Sequence, residues 1–160
     1  MQSNSRAGSR RIKPQIKASY SGESSARSAP NRDRGSPQIE FDQISALMLA
    51  AKGKLDAAIE LIRSAAKREE ALPYAFGPPS IPKPSHELLG DLLLKNNNPK
   101  DAREAFSASL ARTPRRTQSL LGLMQSQLAL GDKAGAAQTE AAVREIRRNA
   151  DPGVVSASNK

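Results

Sequence analysis

Residues 83–116 read KPSHELLGDLLLKNNNPKDAREAFSASLARTPRR, and the fold turns on how this stretch is read. Ser85 is placed to N-cap a helix in which Leu88, Leu89, Leu92 and Leu93 recur at three-and-four spacing, and the run breaks at Asn96, Asn97 and Asn98. Pro99 suits the first turn of a second helix, where its missing N–H would have had no partner. Ala102, Ala105, Phe106 and Leu110 then line one face as far as Pro114. The pair predicts a hairpin in which Gly90 faces Ala102, so that the backbones cross closely while Phe106 fills the wider gap beside them. This is a packing unit rather than a catalytic one.

The flanking segments read as neighbours of the same kind. Upstream, Phe41, Ile44, Leu47, Met48 and Ala51 predict the apolar face of one helix, and Lys52-Gly53 breaks it. Leu55, Ala58, Ile59, Ile62, Ala65 and Ala66 continue on a second. Downstream, Leu120, Leu121, Leu123, Leu128 and Leu130 mark a first helix, and Gly131-Asp132 a turn and cap. Ala136, Ala137, Val143 and Ile146 mark the buried stripe of a second helix, whose end gathers Arg144, Arg147 and Arg148 at the negative pole of the helix dipole. Between the first two hairpins, residues 72–84 carry Pro73, Pro78, Pro79, Pro82 and Pro84. They read as an inserted loop, packed down through Tyr74, Phe76 and Ile81 rather than offered as a ligand to a proline-recognising domain.

Composition sets the limits. A chain of 160 residues with 38% hydrophobic but only 3% aromatic content suits helices of Ala and Leu, and it lacks the rings for a deep ligand box. Without cysteine there is no disulfide framework and no thiol chemistry. No apolar run reaches the roughly 18 residues of a membrane helix, so no membrane span is expected. Residues 1–38 hold almost no apolar side chains and eight Arg and Lys against Glu23 and Asp33, which puts +6 of the net +9 there and predicts a disordered basic tail. Such a tail could hold nucleic acid through phosphates, but Tyr20 is its only aromatic and its charges are widely spaced. Its Arg- and Ser-rich, acid-poor composition also fits an organellar transit peptide. Without that role the protein is expected in the cytoplasm.

The central hairpin resembles a tetratricopeptide repeat, a unit of about 34 residues with small and large side chains at fixed positions. Leu89 and Gly90 fall on the family's Leu-Gly pair, Leu93 on an aromatic position, Ala102 on the close-packed alanine, Phe106 on the second-helix aromatic and Pro114 on the closing proline. His86 and Ser109 depart, standing where the family prefers a large apolar residue and Ala. In the first hairpin Ser45 and Ala46 occupy the Leu-Gly positions. In the third, Met124 and Glu140 stand for the glycine and the aromatic. More narrowly, FGPP, KPSHELLGDLLL, AREAFSASLARTPRRTQSLLGL and RNADP, within about Gln43–Pro152, are similar to C-terminal repeat segments of bacterial tetratricopeptide proteins of unassigned role. That likeness would make the chain one end of a longer array.

The resemblance implies an all-α fold, a short right-handed solenoid of about three helix-turn-helix hairpins behind the basic tail. The units would be 39–71, 85–116 and 117–150, with residues 151–160 a second disordered tail. It also implies a non-catalytic module that binds a peptide segment of a partner protein in a concave groove. Carried over position by position, the groove comprises Gln43 and Leu47, then Glu87, Asp91, Leu94 and Lys95, then Gln118, Leu121, Gln125 and Leu128. The basic clamp with which some members hold a C-terminal carboxylate is missing, since Gln43, Glu87, Asp91, Leu121 and Gln125 stand at its positions. Glu87 and Asp91, one turn apart, give this surface a solvated acidic rim suited to a partner with Lys or Arg beside an apolar anchor.

Chemistry has little to stand on. His86 is the only histidine, and with Glu87 and Asp91 it makes a thin constellation for metal or catalysis. Gly90, Gly122, Gly131 and Gly135 form no phosphate-binding loop. No enzyme, cofactor or metal is therefore expected. The alternatives are an RNA- or ribosome-associated protein acting through residues 1–38, and an accessory domain of a larger enzyme or transport complex.

Overall fold

The computed structural model describes residues 36–73 and 81–148, and the expectations for the basic tail, for Tyr74 and Phe76 and for the C-terminal residues lie outside them. Six helices and no strand occur among the described residues: α1 (Ser36–Ala51), α2 (Leu55–Glu70), α3 (Ser85–Lys95), α4 (Pro99–Arg112), α5 (Thr117–Ala129) and α6 (Lys133–Arg148). They form three hairpins, α1/α2, α3/α4 and α5/α6, stacked through α2/α3 and α4/α5.

One turn is used three times. Gly53, Asn97 and Gly131 adopt left-handed backbone at φ 76°, 53° and 77°. In each turn the next N–H donates back five residues: Lys54 to Leu49 O at 3.0 Å, Asn98 to Leu93 O at 2.9 Å and Asp132 to Gln127 O at 2.9 Å. These bonds close the orphaned carbonyls of the first helix in the manner of a Schellman motif, which favours glycine and tolerates asparagine. The turn fixes a register: Ala58, Ala102 and Ala136 are equivalent and all buried; Ile62, Phe106 and Glu140 are likewise equivalent, the first two buried and Glu140 exposed. Asn98 caps α4 by accepting from Asp101 N–H, with Pro99 at the first position.

Phe106 lies at the centre of the stack and has no solvent exposure. Its ring covers two glycines. A Cβ on Gly90 would lie 2.6 Å from the ring, and one on Gly122 of α5 would come closer still. Gly90 therefore faces Phe106 rather than Ala102, and the aromatic spans from its own hairpin into the next. The main cluster joins Ile39, Ala46, Ile59, Ile62, Leu88, Leu89, Leu92, Leu93 and Ala105 around it, with Ile81 anchoring the end of the proline-rich segment.

Three further expectations change. Helix α1 begins at Ser36, and it buries Ile39, Asp42, Gln43 and Ala46 instead of the expected stripe. Phe41, Ile44, Leu47 and Met48 are 63%, 59%, 48% and 55% exposed. The helix has two candidate faces, and α2 takes the one holding Ala46, which lets the backbones approach. In α5 the buried residues are Ser119, Gly122 and Ser126, because Phe106 and Glu87 already fill the space a leucine there would need; Leu128 and Leu130 are exposed, and in α6 Ala137 is exposed too. Ser85 does not cap α3 with its side chain. Its N–H donates to Glu69 Oε2 at 2.7 Å, so a carboxylate from α2 serves the helix N-terminus, where negative charge is favoured.

Arg112, at the end of α4, binds at the same end of α2. Its guanidinium donates to the carbonyls of Glu69 (3.1 Å), Glu70 (2.8 Å) and Leu72 (3.1 Å), where α2 runs out of internal partners.

The covered glycines set an expected outcome. Gly90→Ala and Gly122→Ala each gain helix propensity of about 0.5–1 kcal/mol, yet each should lower stability by about 1–3 kcal/mol because the ring has nowhere to go. Phe106→Ala should cost about 3–5 kcal/mol. Urea titration followed by circular dichroism checks all three, and a neutral or stabilising Gly122→Ala would show that the ring can move aside.

Candidate protein-binding groove

The first helices pack close along the stack, α1 with α3 and α3 with α5, whereas α2 and α4 are bridged by long side chains, Arg112 and Arg63, rather than by close backbone packing. The first helices thus form one layer along the stack, the layer that would line the concave side if the array curves as repeat solenoids do.

The residues expected on that side divide into two groups. Leu47, Lys95, Gln118, Gln125 and Leu128 are exposed, and Asp91, Leu94 and Leu121 are half-buried. Gln43 and Glu87 are interior. Gln43 Nε2 donates to Lys83 O at 2.8 Å and to Ser85 Oγ at 2.9 Å, joining α1 to the start of α3. Glu87, 1% exposed, is gripped from the following hairpin: Arg116 Nε donates to Oε2 at 2.6 Å, Arg116 Nη2 to Oε1 at 3.1 Å and Ser119 Oγ to Oε2 at 2.6 Å. Ser119 Oγ lies 2.9 Å from Ser109 Oγ, and Lys83 Nζ lies 3.4 Å from Glu87 and 2.8 Å from Asp91.

Burial alone would raise the pKa of Glu87, but the hydrogen bonds from Arg116 and Ser119 and the charges of Arg116 and Lys83 outweigh it and hold the carboxyl below its ordinary 4.5. For Lys83, burial pulls downward and the bond and charge of Asp91, with Glu87, more than offset it, so the ammonium stays charged. The expected acidic rim is therefore absent at Glu87 and neutralised at Asp91. No local spacing joins Glu87 to Arg116 and Ser119, which lie 29 and 32 residues away. The sequence signal was slight, a lone acid on a helix that buries leucines on both sides.

The candidate ligand cluster also comes apart. His86 Nε2 lies 2.7 Å from Glu70 Oε1, while Glu87 turns to Arg116 and Asp91 to Lys83. Among the described residues no three His, Asp or Glu side chains gather to hold a metal, and no helix is long and apolar enough to cross a membrane. What the concave side offers is an apolar floor of leucines edged with amides and one lysine.

Residues 88–152 match the tetratricopeptide repeat family. No curated protein and no solved structure matches the chain.

Glu87 carries a pH signature. A carboxyl held below its unfolded pKa contributes stability that is present above that value and is lost as pH falls through the folded one. Glu87→Gln should therefore cost about 2–4 kcal/mol at neutral pH, somewhat under the range for a fully buried pair because Arg116 is partly exposed, and progressively less as the pH falls below the carboxyl's ordinary 4.5. Asp91→Asn, at a half-exposed pair, should cost under about 1 kcal/mol. Denaturation of both variants across pH 3–8 checks this; equal effects would mean that Glu87 is solvated.

Proposed function

We propose that this chain, whose residues 88–152 match the tetratricopeptide repeat family, is a non-catalytic scaffold that captures a peptide segment of a partner protein on the concave side of its three hairpins. Repeats of this family generally mediate protein–protein interaction. The observation that supports the finer reading is a set of leucines on the inner layer that keep solvent exposure: Leu47 on α1 and Leu128 on α5, the latter 54% exposed, with Leu94 on α3 and Leu121 on α5 half-buried beside them. Apolar side chains held on a rigid concave wall bury a partner's side chains with little ordering cost on their own side.

Because Glu87 is sequestered by Arg116 and Asp91 is paired with Lys83, the groove selects its partner by apolar anchors rather than by complementary charge. Lys95, Gln118 and Gln125 supply hydrogen bonds at the edge. Binding of this kind depends weakly on salt, and its mutants act through dissociation rate.

The experiment is affinity capture with the full chain as bait, followed by titration of the partner segment so identified. Leu128→Glu should weaken binding at least about tenfold and leave the thermal midpoint within about 2 °C, since the residue contributes little to the core. Leu121→Ala should chiefly shorten residence time. Unchanged affinity in both variants would move binding off the groove.

A further inference from the structure

The buried apolar side chains are shared unevenly among the three hairpins. The first contributes Ile39, Ala46, Ile59, Ile62 and small residues of α2, and the second contributes four leucines of α3 with Ala102, Ala105 and Phe106. Among the described residues the third adds Ala136 and Val143, both on α6, and neither belongs to the main cluster. Its larger side chains Leu120, Leu121, Leu123, Met124 and Ile146 are half-buried. The seams differ in the same direction. Hairpin one is held to hairpin two by apolar packing and by polar ties at three places: Gln43 on Ser85, Glu69 on the Ser85 N–H, and Arg112 on the last carbonyls of α2. Hairpin three is held by the Phe106 ring over Gly122, by the half-buried Leu123 against the main cluster, and by one polar cluster in which Arg116 and Ser119 donate to Glu87 and Ser119 meets Ser109.

We infer that α5 and α6 open together as one unit while the first two hairpins stay folded, and that the cluster of Glu87, Arg116 and Ser119 is the latch that holds this unit shut. In a repeat array each unit is stabilised by its own packing and by its interface with the next, and the free energy of a local opening follows the apolar contact that it gives up. Hairpin three is poor in both. The latch resists slip, yet it adds little net stability against the open state, because Glu87 at 2% exposure and Arg116 at 30% both regain hydration when they part. The two helices leave as a pair. Thr139 Oγ1 donates to Gln127 Oε1 at 2.9 Å and Glu145 lies 3.5 Å from Arg115, which fastens α6 to α5 and to the loop that precedes it. Helices of 13 and 16 residues are marginal in water by themselves, so undocking and unfolding are one event.

Leu121 and Leu128 belong to this unit, so the surface they make with α3 exists only while the latch is shut. A ligand that touches α3 and α5 together binds the shut state alone and holds it closed, and its apparent affinity falls in proportion to the fraction that is open. The opening itself is a property of the free chain. Its failure and the failure of the groove reading are therefore separate results.

The test is main-chain hydrogen exchange of the full chain, read by mass spectrometry of its fragments. Interior amides of α5 and α6 should share one opening and, corrected for intrinsic rates, exchange at least about tenfold faster than those of α2 and α3. Ile62→Val, in the core of hairpin one, should speed exchange in α2 by about two- to tenfold and leave α5 and α6 unchanged, because Ile62 stays packed when hairpin three opens. A chain that opens all at once would shift every helix by the same factor. Glu87→Gln should speed exchange in α5 and α6 at least about tenfold, and adding Arg116→Gln to it should change that rate by less than about threefold, since the pair is already broken. Equal protection of all the helices, separate openings of α5 and α6, or a uniform response to Ile62→Val would overturn the unit. Exchange unchanged by Glu87→Gln, or effects at 87 and 116 that multiply, would overturn the latch.

Discussion

The ring of Phe106 between Gly90 and Gly122 is the constraint on which the three-hairpin stack depends. A phenyl group can lie flat against two helices only where neither presents a Cβ, so these two glycines admit one side chain into both contacts. Hairpin two is thereby locked internally, and hairpin three is docked on it without a leucine-rich seam of its own. This explains why α5 buries only Ser119, Gly122 and Ser126: the apolar volume at that interface comes from α4. The first interface, between α2 and α3, is built conversely, with Leu88 and Leu92 of α3 and Ile59 and Ile62 of α2 in one buried cluster. One family geometry is satisfied by two distributions of bulk.

Polar bonds run alongside the apolar contacts and do a different job. Gln43 holds Ser85 and the Lys83 carbonyl, and Arg116 and Ser119 hold Glu87, so each hairpin is tied to the next near the start of its first helix. Leucines on adjacent helices tolerate a shift along the axis. A two-pronged guanidinium–carboxylate pair backed by a serine does not, because any slip leaves a buried charge without partners. The consequence for the proposed groove is direct: Gln43 and Glu87, which position the helices, are withdrawn from it, and Asp91 is paired with Lys83.

Much of the architecture was legible because it is local. The three-and-four spacing of Leu88 to Leu93, the break at Asn96–Asn98, Pro99 and the stripe ending at Phe106 each act within a few residues, and they define helices that the structure contains. Relations between hairpins were not legible in this way. The pattern in α1 allows two buried faces, and only the position of α2 decides that Ala46 goes in and Phe41 stays out. Glu87 reads as a solvated acid until Arg116 is brought to it by the fold. Gly122, in a helix full of leucines, looks incidental until the ring from α4 is seen to rest on it. The groove leucines stand apart from these cases, since their assignment came from equivalent positions in a repeat family rather than from a pattern of burial.

Arg112 has a bearing on how this chain tolerates change. By binding the last carbonyls of α2 from the end of α4, it fixes the point where the proline-rich segment departs, and Ile81, 6% exposed, fixes the point where it returns. The two hairpins on either side pack directly on each other through α2 and α3. Since the entropy of closing a loop grows only with the logarithm of its length, doubling the span costs roughly 0.6 kcal/mol. The spacing between the first and second turns, 44 residues against 34 between the second and third, shows the same freedom already in use. The junction is thus a natural grafting point, where an epitope or a second binding loop could be housed at the array's edge while the helices on both sides keep their places.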